Sequence, residues 1–214
     1  MNKLILNFQS KDTKKIKSPK NFLGGKGANL SEMGRLGLPV PPGFTISTKV
    51  CEIFYKDKKK LNLKLVNQIK KELKVIERDV SKKFGDLKNP LLLSVRSGAR
   101  VSMPGMMDTI LNLGLNDKTV VALAKKTSNG RFAKDSYRRF IQMYGNVVMG
   151  VESYHFEELI ENYKLTKGVL LDTDLDEQDW DGLIKDFKNT VKEKSKKEFP
   201  QDVYQQLFGA ISAV

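Results

Sequence analysis

The chain has 214 residues, 40% of them hydrophobic and 29% charged, which is enough apolar material for a packed core and too much for a disordered chain. Met1–Gln9 is too short and too soon polar for a signal peptide, and no apolar run approaches the roughly 20 residues of a membrane span. One cysteine and one histidine argue against a disulfide framework, a Cys/His zinc module and Ser-His or Cys-His catalysis. We expect a cytoplasmic protein without a membrane partner.

The net charge of +13, from 38 basic and 25 acidic residues, raises the question of nucleic-acid binding. The basic residues are 31 lysines and only 7 arginines, and the lysines are spread along amphipathic stretches typical of solvated helix faces. Five of the seven arginines fall within one stretch of 44 residues: Arg96, Arg100, Arg131, Arg138 and Arg139. Because Arg presents a planar fork to phosphate and carboxylate, this concentration favours such a ligand over nucleic acid.

The first 115 residues alternate between strand and helix patterns. Predicted strands cover Lys3–Asn7, Gly43–Ser47, Leu91–Val95 and the segment from Thr109 to Gly114, the last of which would continue the sheet. Leu91–Val95 is a short, continuous apolar run, as expected for a strand that is buried on both faces.

Helix patterns lie between these strands, after a Lys-rich polar connection that ends at Lys20. One helix follows the glycine segment Gly24–Asn29, with an apolar stripe formed by Leu30, Met33 and Leu36 or Leu38. Thr48 is expected to cap the next helix. A long helix is predicted over Leu61–Phe84, where leucine and isoleucine recur at spacings of three and four.

From Asn116 onward the pattern is almost entirely helical. The predicted helices are Asp117–Lys126, Arg131–Met149, Ser153–Tyr163, Asp176–Lys197 and Gln201–Val214. A mixed α/β lobe followed by a helical lobe is the simplest architecture, with a boundary near residue 115. The last helix reaches Val214 without a C-cap or a polar tail, so we expect a fragment of a longer protein.

Three segments are candidates for binding chemistry, and the first is Gly24–Asn29. Glycines let the backbone approach an anion, a helix N-terminus offers N–H groups and partial positive charge, and Lys26 adds a full charge. This arrangement suits phosphate, although it fits neither the P-loop nor the dinucleotide fingerprint. A plain glycine turn before an amphipathic helix is the alternative.

The second candidate is the loop from Arg96 to Thr109. It follows a predicted buried strand and carries Arg96, Arg100 and two glycines at the strand's carboxyl end, where α/β sheets keep their ligands. Met103, Met106 and Met107 add polarizable surface that could pack on a flat base. The alternative is that the methionines fill the core and that Arg96 is paired with an acid.

The third candidate is the helical segment Arg131–Phe140, in which arginines recur at spacings of three and four around Asp135. A solvated helix with internal ion pairs explains most of it, and one arginine that reaches a ligand would explain the rest. His155 is expected to be a surface residue. The acidic run Asp172–Asp181 lacks the Gly and Glu of a calcium loop, so Asp174 or Asp176 is expected to cap a helix.

At these residues the chain resembles the pyruvate, phosphate dikinase family, a relative of phosphoenolpyruvate synthase. The matching motifs are Gly24–Leu30, Gly37–Pro41 with Gly43–Thr45, Ser94–Arg100, Ser102–Gly114, Arg131–Ala133 and Asp135–Phe140. The long Met-Pro-Gly-Met-Met-Asp-Thr block, residues 103–109, is the most specific of them. The resemblance spans the whole chain and is weakest over Lys11–Lys20 and Val151–Lys197.

The resemblance implies the N-terminal part of an ATP-grasp nucleotide-binding domain with a helical insertion. Its parts would be an α/β nucleotide-binding subdomain at 1–115, a helical subdomain at 116–201 and the start of a return helix at 202–214. Carried over by position, Lys26 and Arg96 would hold the phosphates of ATP, Gly105 and Met107 would line the nucleotide site, and Arg139 would support the phosphate end.

In this family ATP, phosphate and pyruvate are converted to AMP, diphosphate and phosphoenolpyruvate through a histidine on a separate swivelling domain. That domain and the pyruvate/phosphoenolpyruvate barrel are expected as partners outside this chain, as are the Mg²⁺ ligands. His155 matches no phosphoacceptor motif, so we expect no catalytic residue, no metal ligand and no turnover in these residues alone. The full-length protein is expected to be a homodimer. The corresponding domain of phosphoenolpyruvate synthase or another dikinase, and a non-catalytic basic binding module, stay open as alternatives.

Overall fold

The computed structural model describes residues 3–98 and 109–214. These residues form two compact units, of which the first holds 3–81 and 96–98 and the second holds 82–95 and 109–214. Helices predominate in both units and the strands are short, so the predicted mixed α/β class is confirmed. The three-part division at residues 115 and 201 stays a prediction.

The first unit is built on one antiparallel pair of strands. Its described elements are β1 (Ile5–Asn7), a 3-10 helix (Lys11–Lys15), α1 (Pro19–Arg35), β2 (Phe44–Ile46), α2 (Thr48–Lys56) and α3 (Leu63–Val80). In the strand pair Ile5 lies opposite Ile46 and Asn7 opposite Phe44. Helix α1 packs against α2 and β2, and α3 packs against β1.

The helix α3 shows the predicted periodicity and a shorter range than predicted. Its buried residues are Leu65, Ile69, Leu73 and Ile76. Asn62 caps its start by accepting a 3.0 Å hydrogen bond from the amide of Leu65. The helix ends at Val80 because Ser81 adopts a left-handed backbone with φ 52°. The predicted continuation to Phe84 is therefore wrong.

Two sequence predictions about α1 and α2 are also wrong. Met33, Leu36 and Leu38 are exposed, and the buried face of α1 is formed by residues such as Ala28 and Ser31 instead. Thr48 is the first residue of α2, which follows Ser47 in the N-cap position. The Thr48 hydroxyl donates a 2.7 Å hydrogen bond to the carbonyl oxygen of Asn21 in α1, so this side chain joins two helices.

The second unit contains four short strands and five α-helices among its described residues. They are β3 (Lys83–Phe84), β4 (Pro90–Leu91), β5 (Leu93–Arg96), β6 (Thr109–Leu113), α4 (Thr119–Thr127), α5 (Gly130–Val147), α6 (Ser153–Lys167), α7 (Glu177–Ser195) and α8 (Val203–Ala213). The last residue of β5, Arg96, is already part of the first unit. β3 pairs with β4 in parallel, and β5 pairs with β6. The described strands of the chain thus form three separate two-stranded sheets, where the sequence predicted one continuing sheet.

The predicted strand Leu91–Val95 is divided between β4 and β5. Within β5, Leu93 and Val95 are half-buried and pack on the core, whereas Ser94 and Arg96 are exposed. This alternation is what a strand with one face on the core produces. The expectation of burial on both faces is therefore wrong for the second half of the run.

The core of the second unit is dominated by aromatic side chains. Tyr137 and Phe140 of α5, Phe156 of α6, and Trp180 and Phe187 of α7 are almost fully buried. Helix α5 lies at the centre of this core and packs against α4, α6, α7, α8 and β6. None of the helices in the described part of the chain has the length and apolar character that crossing a membrane requires.

Candidate functional site

The glycine segment interrupts α1 and creates a second helix start inside it. Gly24 has φ 71° and ψ 170°, outside the helical region, so the helical backbone resumes at Gly25. The first amides of a restarted helix have no carbonyl one turn before them, and they carry partial positive charge. The hydroxyl of Thr48 bonds to the carbonyl of Asn21, a group that an uninterrupted helix would use for the amide of Gly25. Gly25, Lys26 and Gly27 therefore stand at a helix start, the kind of position at which proteins commonly bind anions.

The structure brings the segment after Arg96 against this turn. A Cβ at position 24 would lie 2.8 Å from the carbonyl carbon of Gly98 and closer still to its oxygen. Gly98 itself approaches the carbonyl oxygen of Leu23. Two predicted candidate segments, far apart in sequence, thus meet in the first unit.

The cations of these two segments have no partner among the described residues. Lys26 is half-buried and Arg96 is exposed. Neither side chain makes an ion pair or a hydrogen bond in the described part of the chain. The alternative that Arg96 is paired with an acid therefore finds no support among residues 3–98 and 109–214. Gly105 and Met107, the predicted lining of the nucleotide site, lie outside the described residues.

Gly27 has a packing role beside the turn. A Cβ at this position would lie 2.7 Å from the Cγ2 atom of Thr45 in β2. The restarted helix can therefore rest directly on the strand pair of the first unit.

The arginines of α5 serve mainly internal contacts in the second unit. Arg131 donates hydrogen bonds to the carbonyl oxygens of Leu175 (2.7 Å) and Asp172 (2.9 Å). Arg138 is buried, bonds to Asp135 at 2.5 Å, and lies over the ring of Trp180 with 4.7 Å to its centroid. The sequence predicted the ion pairs of this helix and gave no sign of the stacking on Trp180.

Arg139 is the more exposed of the two neighbouring arginines Arg138 and Arg139, with 59% of its side chain exposed against 6% for Arg138. Its Nε atom donates to both carboxylate oxygens of Asp135, at 3.3 and 3.1 Å. No hydrogen bond of its two terminal nitrogens lies within the described residues. Asp135 thus fixes the guanidinium of Arg139 from one side, and the terminal N–H groups remain on the other.

The other candidates have structural explanations. Asp176 caps α7 by accepting hydrogen bonds from the amides of Gln178 (2.8 Å) and Asp179 (3.1 Å), as predicted. His155 lies in the first turn of α6 beside the ring of Tyr154. Within the described ranges, no three His, Cys, Asp or Glu side chains are grouped as metal ligands.

Part of the first unit matches a known protein family. Residues 20–77, which contain the glycine turn and Lys26, match the family model described as the pyruvate phosphate dikinase AMP/ATP-binding domain. The segment is therefore similar to a nucleotide-binding domain.

The relatives extend this similarity along the chain. Pyruvate, phosphate dikinase of Clostridium symbiosum is 54% identical over 92% of this chain and 23% of its own length. The enzyme named pyruvate, phosphate dikinase from Entamoeba histolytica is 52% identical over 91% of this chain and 22% of its own, and that of Rhizobium meliloti is 48% identical over 100% and 24%. The chain belongs to the pyruvate, phosphate dikinase family and spans about a quarter of the length of these relatives.

Proposed function

We propose that this chain binds ATP as part of the nucleotide-binding domain of a pyruvate, phosphate dikinase with an ATP-grasp fold. The observation that carries the proposal is the contact between Gly24 and Gly98, which brings the Lys26 turn and the segment after Arg96 together. Lys26 and Arg96, which have no partner among residues 3–98 and 109–214, are thereby carried on two segments of the first unit that touch, together with the amides of a helix start. This is the chemistry that a polyphosphate needs.

Each residue has a separate task in this proposal. The amine of Lys26 and the amides of residues 25–27 bind phosphate oxygens, and the guanidinium of Arg96 binds them from the neighbouring segment. Gly105 and Met107 line the nucleotide site. Arg139, held by Asp135, supports the phosphate end. Transfer of a phosphoryl group depends mainly on such fixed charges and dipoles, because little covalent chemistry falls to the protein.

In the whole protein, ATP, phosphate and pyruvate would yield AMP, diphosphate and phosphoenolpyruvate through a phosphohistidine on another domain. Mg²⁺ bound with ATP would neutralise charge on the phosphates, and the described residues supply no cluster of three ligands that fits it. His155, the sequence's one histidine, is not assigned the phosphoacceptor role. We propose that the 214 residues alone bind ATP without forming phosphoenolpyruvate. Homodimer formation of the full-length protein and a cytoplasmic location stay predictions.

The test is calorimetric titration of the 214-residue chain with ATP. Lys26→Ala and Arg96→Ala are each expected to weaken ATP binding by about 1–3 kcal/mol, the range for a lost hydrogen bond to a charged group. Lys64→Ala and Arg78→Ala, two exposed cations of α3 in the same unit, serve as charge-matched controls and should leave the affinity within experimental error.

The outcome also separates the enzyme from a basic binding module. If all four variants weaken binding equally, and the loss tracks ionic strength, the net charge of +13 and not a built site holds the nucleotide. That result would contradict the proposal.

A further inference from the structure

A cleft lies in the first unit, between residues 13–20 and the second half of α1. Its volume is about 740 Å³. Ligand sites of proteins commonly measure about 300–1,000 Å³. Its size therefore suits a small molecule.

The lining of this cleft differs from that of the proposed ATP site. At about 100° per residue, Ala28, Ser31 and Arg35 lie about 140–180° around the helix from Lys26, whereas Asn29 lies about 60° from it. Neither Lys26 nor Arg96 lines the cleft. The two sites share a helix and no charged side chain.

The lining is strongly cationic. Lys14, Lys17, Lys20 and Arg35 line the cleft with a single acid, Glu32, so its charge is +3. Arg35 and Glu32 face each other at 3.7 Å. The three lysines are exposed, and no ion pair or hydrogen bond of their side chains lies within residues 3–98 and 109–214. Three cations without an acidic partner among the described residues call for an anion with several charges.

The wall of the cleft is firm and apolar. Leu23 and Ala28 line it and belong to a buried cluster with Leu6 and Phe22, against which Ile16 packs. Such a wall gives a ligand an apolar surface in the same cleft that the lysines line. Small-molecule sites combine apolar lining with a few polar groups in this way.

A buried hydroxyl supplies an independent sign of a ligand. Ser31 lines the cleft, is only 4% exposed, and its Oγ atom has no hydrogen-bond partner. A buried polar atom without a partner is costly and uncommon. A ligand oxygen in the cleft would provide the missing partner.

We propose that this cleft is a binding site for a small phosphorylated molecule, distinct from the proposed ATP site. Lysines at positions 14, 17 and 20 approach from separate points along the chain as compact point charges, which suits tetrahedral phosphate groups with oxygens in many directions. Planar carboxylates match the guanidinium fork better, and the one arginine of the cleft is already paired with Glu32.

The experiment titrates the ¹⁵N-labelled 214-residue chain with inorganic diphosphate and follows the amide shifts by NMR. Saturable shifts at residues 13–20 and 28–35 are expected, and they should persist in Lys26→Ala, which removes the other anion site. The variant with Lys14→Ala, Lys17→Ala and Lys20→Ala should bind diphosphate in this cleft at least about tenfold more weakly, and Ser31→Ala about threefold more weakly.

The matched control replaces Lys64, Lys71 and Lys74, three exposed lysines of α3, by alanine and changes the net charge equally. It should bind within about twofold of the parent chain. Three results would each overturn the proposal. The first is equal weakening in the control. The second is a set of shifts that is confined to residues 24–27 and 96–98 and is lost in Lys26→Ala. The third is citrate binding as tight as that of diphosphate. The ATP affinities of Lys26→Ala and Arg96→Ala test the proposed function alone, so ATP binding that is unchanged in both would contradict that function and leave the diphosphate result standing.

Discussion

Gly24 has two independent reasons to be glycine. Its backbone, at φ 71° and ψ 170°, lies in a region that only glycine adopts readily, and the carbonyl of Gly98 occupies the space of a Cβ. The first constraint opens the helix so that it restarts at Gly25. The second keeps the segment that follows Arg96 beside that restart.

Gly24→Ala is therefore expected to reduce both stability and ATP affinity. Backbone strain alone costs about 1–3 kcal/mol of unfolding free energy, and the Cβ must also push the residue 98 backbone away. Gly37→Ala is the control, because Gly37 has φ 77° and no atom within 4 Å of a built Cβ. Urea denaturation should show a loss in both variants, whereas calorimetry should show weaker ATP binding in Gly24→Ala only. Equal ATP affinities in the two variants would argue against a nucleotide role for the Gly24–Gly98 contact.

Asp135 balances a buried cation. Arg138 is 5% exposed, and burial lowers its guanidinium pKa while Asp135 opposes that effect. Asp135→Ala leaves Arg138 with Gln142 at 3.2 Å and the carboxylate of Asp172 at 3.9 Å. We expect a loss of about 3 kcal/mol in unfolding free energy, at the lower end of the range for a broken buried pair.

The control for Asp135→Ala is Glu198→Ala, which removes the exposed 2.6 Å pair with Lys192 and should cost less than about 1 kcal/mol. Urea denaturation of both variants measures the difference. Similar losses would mean that Arg138 is adequately solvated without Asp135.

The start of helix α7 combines an N-cap with an ion pair. Asp176 accepts hydrogen bonds from two amides of its own helix, and Lys167 of α6 donates to it at 2.6 Å. Lys167, and after it the backbone bond from Asp179, lowers the pKa of Asp176 from 3.8 to about 2. A 3-10 helix at Asp172–Asp174 precedes α7. Arg131 stabilises it by donating hydrogen bonds to the carbonyl oxygens of Asp172 and Leu175.

The lowered pKa of Asp176 makes its contribution to stability dependent on pH. The carboxylate favours the folded state above its unfolded pKa of 3.8, and this stabilisation is lost as the pH falls toward about 2. Urea denaturation at several pH values should therefore show a stability gap between the parent chain and Asp176→Ala that is constant above pH 5 and narrows between about 4 and 2. Asp176→Asn retains a capping oxygen without the charge, so its gap to Asp176→Ala should not narrow through this group. A gap that is independent of pH would show that capping alone stabilises the helix.

At the scale of the molecule, the sequence predicted the helices better than the strands. Periodic patterns located α3, α5 and α7, because burial of one helix face requires apolar residues at the 3.6-residue spacing. The predicted ends of these helices differ from the observed ones. Ser81 ended α3 early through a left-handed conformation that no spacing reveals. Leu91–Val95 was misread because a continuous apolar run does not show that Leu93 and Val95 pack on the core while Ser94 is exposed.

The candidate site was predicted in its residues and not in its geometry. Glycines beside Lys26 and arginines near Gly98 pointed to phosphate chemistry, but their meeting depends on a contact between backbones, which leaves no trace in side-chain pattern. The lysines of the cleft between residues 13–20 and α1 were interpreted as part of a polar connection. Their regular spacing of three, at positions 14, 17 and 20, was the signal that could have separated them from ordinary surface charge.

The two units should differ in stability, and ATP should act on the weaker part. Every aromatic side chain among the largest fully buried ones lies in the second unit, whereas the first unit contributes aliphatic residues such as Leu23 and Ile69. Hydrogen exchange of the 214-residue chain should therefore be slowest in α5 and α7. ATP at about 100 times its dissociation constant can add up to about 2.7 kcal/mol of protection where it binds the folded form.

We expect that protection at residues 25–27 and 96–98, because these amides adjoin the proposed phosphate site and belong to the unit with the smaller core. Measuring exchange with and without ATP, in the parent chain and in Lys26→Ala, tests this directly. Protection should rise at the turn in the parent and not in the variant. A uniform rise over both units, or one restricted to residues 13–20, would place the nucleotide elsewhere, since only binding at the turn restrains the restarted helix and the Gly98 segment together.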